Sequence, residues 1–172
     1  MKKFLLFLLS ISIISSLVAC GKTAEKEPEI AKEVAETVQK DTGTPLPDHK
    51  SNNKREGQSF SIVLNANPTT GFDWILSYDG EGLLNNYNNE QSTPPKGIAG
   101  AGLQRRYFFK GDRAGRCNVI FTYKRNWEGG DTSTILSYTF DVDDKMNIKY
   151  ISSKIEQGPG HISEPDFYNN VE

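Results

Sequence analysis

The sequence is poor in the residues that most often carry chemistry, with two cysteines and two histidines among 172 residues. Each scarcity excludes something. His49 and His161 lie far apart in polar stretches, with no metal-ligand spacing to each other or to Cys117, so no metal site is expected. A catalytic thiolate at Cys117 would want a histidine close by, and neither neighbours it in sequence. Paired carboxylates, a nucleophile triad and a glycine-rich phosphate loop are all missing at usable spacing, so the sequence reads as a non-enzyme without a cofactor. Excess positive charge is also lacking. There are 20 Lys and Arg against 22 Asp and Glu, which disfavours a nucleic-acid partner. Beyond the first twenty positions no long apolar run appears, and no internal repeat or long helical period is visible.

What the chain does contain starts with a short cationic N-terminus, Met1-Lys2-Lys3, followed by an apolar run over residues 4–17 broken only by serines. That run is short for a bilayer span and reads as an export signal, residues 1–19. It ends in Leu17-Val18-Ala19-Cys20-Gly21, which resembles the lipobox of bacterial lipoproteins. The resemblance implies that Cys20 becomes the lipid-modified first residue. Several acyl chains at about 0.8 kcal/mol per buried methylene would then hold the mature protein at a membrane outside the cytoplasm, in the periplasm or on the cell surface. Without Lys2 and Lys3, 18 basic residues face 22 acidic ones, a net of −4. Cys117 is then left without a disulfide partner. The alternative is a plain secretory signal or an uncleaved anchor. Residues 20–47 read as a flexible tether, with one short amphipathic helix an option where Ile30, Val34 and Val38 recur at helical spacing.

From Gly57 the period becomes two. Phe60, Ile62 and Leu64 alternate with Ser59, Ser61 and Val63, then Phe72, Trp74, Leu76 and Tyr78 alternate with Asp73, Ile75 and Ser77. Leu83-Leu84 is a weak short strand, residues 103–110 carry Tyr107-Phe108-Phe109, and residues 111–115 read as a turn. Residues 116–124 place Cys117, Val119, Phe121 and Tyr123 on one face, and residues 132–142 place Leu136, Tyr138, Phe140 and Val142 on one face. Strand and turn repeat at a spacing that predicts two packed antiparallel sheets, an all-β immunoglobulin-like sandwich over residues 48–144 with Trp74 in its core. The strand before Phe60 is poorly marked. Residues 145–172 form a C-terminal extension, read as an edge strand plus a tail, with residues 145–151 expected to cover an exposed sheet edge.

Three loops interrupt this pattern. In the first, Asn67 is placed to cap a turn, Pro68 presets φ near −65° at its second position, and Gly71 permits re-entry into a strand at Phe72. Any hairpin can be built so. The order of Asn67-Pro68-Thr69-Thr70-Gly71-Phe72 with Trp74, then Gly100-Ala101-Gly102, then Tyr123-Lys124-Arg125-Asn126-Trp127-Glu128 resembles the chagasin family of cysteine-peptidase inhibitors. Its signatures are NPTTG-F/Y-x-W, GxGG and Y-x-R-P-W-E. The first is complete, Leu103 replaces the last Gly of the second, and Asn126 replaces the Pro of the third.

The resemblance implies an inhibitor, not an enzyme. Three loops at one end of the sandwich would fill the cleft of a papain-like cysteine peptidase, reversibly and without covalent reaction, and the protein is expected to be monomeric. Thr69 and Thr70 are small and uncharged on a turn stiffened by Pro68, which suits a narrow cleft with little lost rotamer freedom. Residues 100–102 would lay bare backbone against a cleft wall; their plain reading is a linker. Trp127, between Arg125, Asn126 and Glu128 and before two glycines, reads as an interface anchor, the alternative being a ring folded back over the sandwich end. A different class stays open: an adhesive or binding lipoprotein in which the same loops hold another ligand.

Overall fold

The computed structural model describes residues 42–127 and 129–169. These form nine strands, β1 (Glu56–Gly57), β2 (Ser59–Ala66), β3 (Phe72–Gly80), β4 (Leu83–Gln91), β5 (Leu103–Arg113), β6 (Gly115–Arg125), β7 (Thr132–Val142), β8 (Ile148–Gln157) and β9 (Asp166–Tyr168), with one 3-10 turn at Pro68–Thr70. All pairings are antiparallel. One sheet has the order β1-β8-β7-β6-β3 and the other β4-β5-β2-β9. The fold is an all-β sandwich, and the alternation in the sequence explains it: side chains two apart share a face, and the apolar set must face the other sheet.

Phe60 is fully buried, with its ring 4.9 Å from Phe109, 4.3 Å from Phe140 and 5.5 Å from Phe167, so it ties β2, β5, β7 and β9 together. Phe121 meets Tyr107, Phe109 and Tyr138 edge-on. Each such ring pair adds roughly 0.5–1.5 kcal/mol beyond its area burial. Cys117 lies in this core on β6, 1% exposed, and burial first, then the nearby Asp141 charge, pushes its thiol up to about 11. That thiol is packing material rather than a nucleophile.

Trp74 is half-buried. Its indole packs against the core while Nε1 donates to the Asn65 carbonyl at 2.9 Å, so its polar edge stays at the sandwich end.

Several expectations need correction. The strand beginning at Leu83 runs nine residues through the polar stretch Asn85-Asn86-Tyr87-Asn88-Asn89, because β4 is an edge strand whose outer face meets water. Residues 111–113 belong to β5 rather than to a turn, since Gly111 and Arg113 pair with β4 across a register shift. Residues 44–47, assigned to the tether, lie on the four-stranded sheet. Thr44 and Thr93 exchange two backbone hydrogen bonds of 2.8 Å, Arg106 donates to the Pro47 carbonyl, and the His49 ring stands 5.0 Å from Phe108. This covering is why Phe108, on the outer face, is 5% exposed. Residues 1–41, on which the expected export signal, Cys20 and the amphipathic option fall, lie outside the described residues.

The C-terminal extension contributes to both sheets. β8 pairs along β7 from Ile135 to Val142, and β9 pairs with β2. Ile148, Tyr150 and Phe167 join the core cluster. The poorly marked first strand, β1, is two residues long and pairs with β8.

Candidate functional site

In an antiparallel succession the connections alternate between the two ends of the sandwich. The β2–β3, β4–β5 and β6–β7 connections therefore share an end, and they are the three loops singled out above.

In the first loop, the Thr70 N–H donates to the Asn67 carbonyl at 3.1 Å and the Gly71 N–H to the Pro68 carbonyl at 2.9 Å, closing the 3-10 turn with Pro68 at its start. Gly71 takes φ +80, the left-handed region where glycine carries no penalty. Asn67 does not cap the turn with its side chain as expected. Its Nδ2 instead donates 3.0 Å across to the Gly100 carbonyl in the second loop, and its Oδ1 accepts from the Thr69 hydroxyl at 2.6 Å. The Asn67 backbone N–H donates to the Tyr123 hydroxyl at 2.9 Å, anchoring the turn to β6. Thr70 donates its hydroxyl to the Asn67 carbonyl at 2.7 Å. Both threonine protons are thus used inside the loop, leaving methyl groups and oxygen lone pairs for a partner.

The third loop meets the first. A Cβ placed on Gly71 would fall 2.7 Å from Cζ3 and 2.8 Å from Cη2 of Trp127, so the indole rests directly on the Gly71 backbone. Trp127 is nevertheless 56% exposed. Its ring leans on the first loop and keeps its outer surface open to solvent. Arg125 supports it from β6: the guanidinium carbon stands 5.4 Å from the Trp127 ring and 5.0 Å from the Phe72 ring, at cation–π range of both. Asp131 accepts the Arg125 backbone N–H at 3.1 Å and sits 3.3 Å from Nη1, while the Gly130 N–H donates to the Trp127 carbonyl at 2.9 Å. Asn126 is exposed, and Glu128 lies outside the described residues.

In the second loop Gly100 is exposed with φ +75, Ala101 is half-buried, and Gly102 is exposed beside the Ala66 carbonyl. Below the loops Phe72 stacks on Tyr123 at 5.4 Å, Tyr123 packs on Trp74 at 4.7 Å, and Asp73 on β3 pairs with Arg105 on β5, linking the two sheets at this end.

Asn67 to Phe72, Gly100 to Gly102, Arg125 and Trp127 are therefore gathered at one end. The sequence reading missed three contributors: Tyr123 as the anchor of Asn67, Asp131 as the partner of Arg125, and Ile98, which is 58% exposed in the second loop. Ile98 is an apolar residue alone in a Gly- and Pro-rich interval, and that isolation was its signal. Among the described residues no group of His, Cys, Asp and Glu gathers to hold a metal ion. The surface offers an indole, methyl groups and backbone carbonyls in fixed positions, which suits binding by shape.

Comparison with known proteins agrees. The family model described as Chagasin family peptidase inhibitor I42 matches residues 53–142. Amoebiasin-1 of Entamoeba histolytica is 34% identical over 74 residues, covering 42% of this chain and 70% of that protein. No solved structure matches the chain. The match takes in all three loops and seven of the nine strands, and the chain belongs to the chagasin family of cysteine-peptidase inhibitors.

Proposed function

We propose that this chain inhibits papain-like cysteine peptidases reversibly and non-covalently by seating residues 67–72, 100–102 and 125–128 in the active-site cleft, acting as a monomer. It does so from a membrane, held by lipid on Cys20 outside the cytoplasm. The observation carrying the loop reading is the pair of contacts that join the loops, Asn67 to Gly100 and Trp127 to Gly71. Loops held in register before binding lose little freedom on binding, so more of the contact energy appears as affinity. Trp127 is the anchor, and truncating a residue of this kind costs about 2–4 kcal/mol, roughly 30- to 1,000-fold in affinity. Asn126 in the place of proline leaves its loop less stiff and lowers affinity without abolishing it.

The experiment is the inhibition constant of the full chain against papain, alongside Trp127→Ala. Competitive inhibition by the unaltered chain, weakened at least 30-fold by Trp127→Ala at an unchanged melting temperature, is expected. Equal potency of the two proteins would overturn the loop reading.

A further inference from the structure

The alternation that gathers three loops gathers a fourth connection. β8 runs parallel in direction to β2, β4 and β6, so the β8–β9 connection, residues 158–165, leaves the sandwich at the loop-bearing end. It lies beyond the family match, which stops at residue 142.

Its position is fixed by the strand that leaves the Trp127 loop. Gln157 pairs with Ile135, the Gln157 side-chain amide donates to the Thr132 carbonyl at 3.3 Å, and the Thr134 hydroxyl donates to the Pro159 carbonyl at 2.6 Å. Gly158 has φ +75, and a Cβ there would fall 1.8 Å from the Ser133 carbonyl oxygen, so the close approach requires glycine. Residues 158–161 are exposed. Between them and the sandwich lies a cleft of about 290 Å3, walled on one side by Pro159, Gly160 and His161 and on the other by Asn65, Trp74 and Tyr123. Tyr123 is the residue that holds Asn67, so the cleft is continuous with the base of the first loop.

Interface size makes this position matter. A standard protein–protein interface takes roughly 20–30 residues a side. The three loops contribute thirteen, from Asn67 to Glu128. A wedge pressed into a cleft brings its own end against the rim of the enzyme, and exposed backbone at that end becomes interface.

We propose that residues 158–161 form a fourth contact segment, resting on the rim of the same cysteine peptidase, with a rim side chain entering the cleft beside His161. This rests on the function proposed above. The partner chemistry is a folded surface offering one side chain to the Trp74 and Tyr123 rings and hydrogen-bonding groups to His161 and the exposed backbone of the turn.

The test is amide hydrogen exchange of the full chain, alone and with an excess of papain. Exchange in the peptide covering residues 158–163 is expected to slow at least fivefold in the complex, while the β7–β8 hairpin, residues 143–147 at the opposite end, stays unchanged. Slowing in residues 67–72 with none in residues 158–163 would overturn this inference and leave the three-loop reading standing. Absence of both slowing and inhibition would overturn the two together.

Discussion

Gly71 is where two loops touch, and its lack of a side chain serves two purposes. It permits φ +80, and it leaves room for the Trp127 ring. Gly71→Ala is disfavoured on both counts, by backbone strain and by a contact of 2.7 Å that only a shift of the indole relieves. Inhibition is expected to weaken at least tenfold, with a shift in tryptophan fluorescence reporting the displaced ring. Asn67→Ala removes the bond to Gly100 and the acceptor for Thr69 while keeping the backbone anchor to Tyr123. At about 0.5–1.5 kcal/mol for each of the two hydrogen bonds, a rise of roughly five- to 150-fold in the inhibition constant is expected, with melting temperature near that of the parent. Cys117 gives a prediction of another kind. Its folded thiol is raised from 9.0 to about 11, so the stability gained by keeping it neutral is complete below pH 9 and is lost as pH rises through about 11. At ~1.36 kcal/mol per pH unit this contributes about 2–3 kcal/mol. Unfolding free energies at pH 8 and pH 11 should fall further for the parent than for Cys117→Ala. An equal fall in both would show that this thiol does not govern the alkaline limb.

At the scale of strands, local pattern was readable where one face is buried and the other wet. β2, β6 and β7 stand close to where alternation put them, because Phe60, Phe121 and Phe140 repeat at period two with their apolar neighbours. β4 was mostly illegible, since an edge strand facing solvent is free to be written in asparagine, and Asn85 to Asn89 look like loop. The partners of β8 and β9 were illegible for a different reason: pairing between residues distant in sequence leaves no local period. Their weight is testable. Truncation after Asp144 removes Ile148, Tyr150 and Phe167 from the core, each worth roughly 1.5–3 kcal/mol of burial, against a total stability of about 5–15 kcal/mol for a domain. The truncated chain is expected to lose its cooperative thermal transition by circular dichroism. The milder Phe167→Ala should cost about 3–5 kcal/mol in denaturant unfolding.

For the molecule as a whole, the three loop motifs could be read in order along the chain, and the fold carries them to one end. What the motifs could not disclose was how they hold each other. The Asn67–Gly100 bond and the Trp127–Gly71 contact join residues 33 and 56 positions apart, and nothing in either motif alone announces them. The proposed anchor belongs to this scale too. Cys20→Ser is expected to move the protein from the membrane to the soluble fraction with its inhibition constant unchanged, because the loops and the lipid act through separate parts of the chain. Retention in the membrane fraction would remove the lipid reading. The amide that joins the first loop to the second and the indole of the third that leans on the first also bear on redesign. These segments are not modular: an exchange of one alone would leave its neighbours without their brace, so retargeting this scaffold to another protease calls for transplanting them as a set.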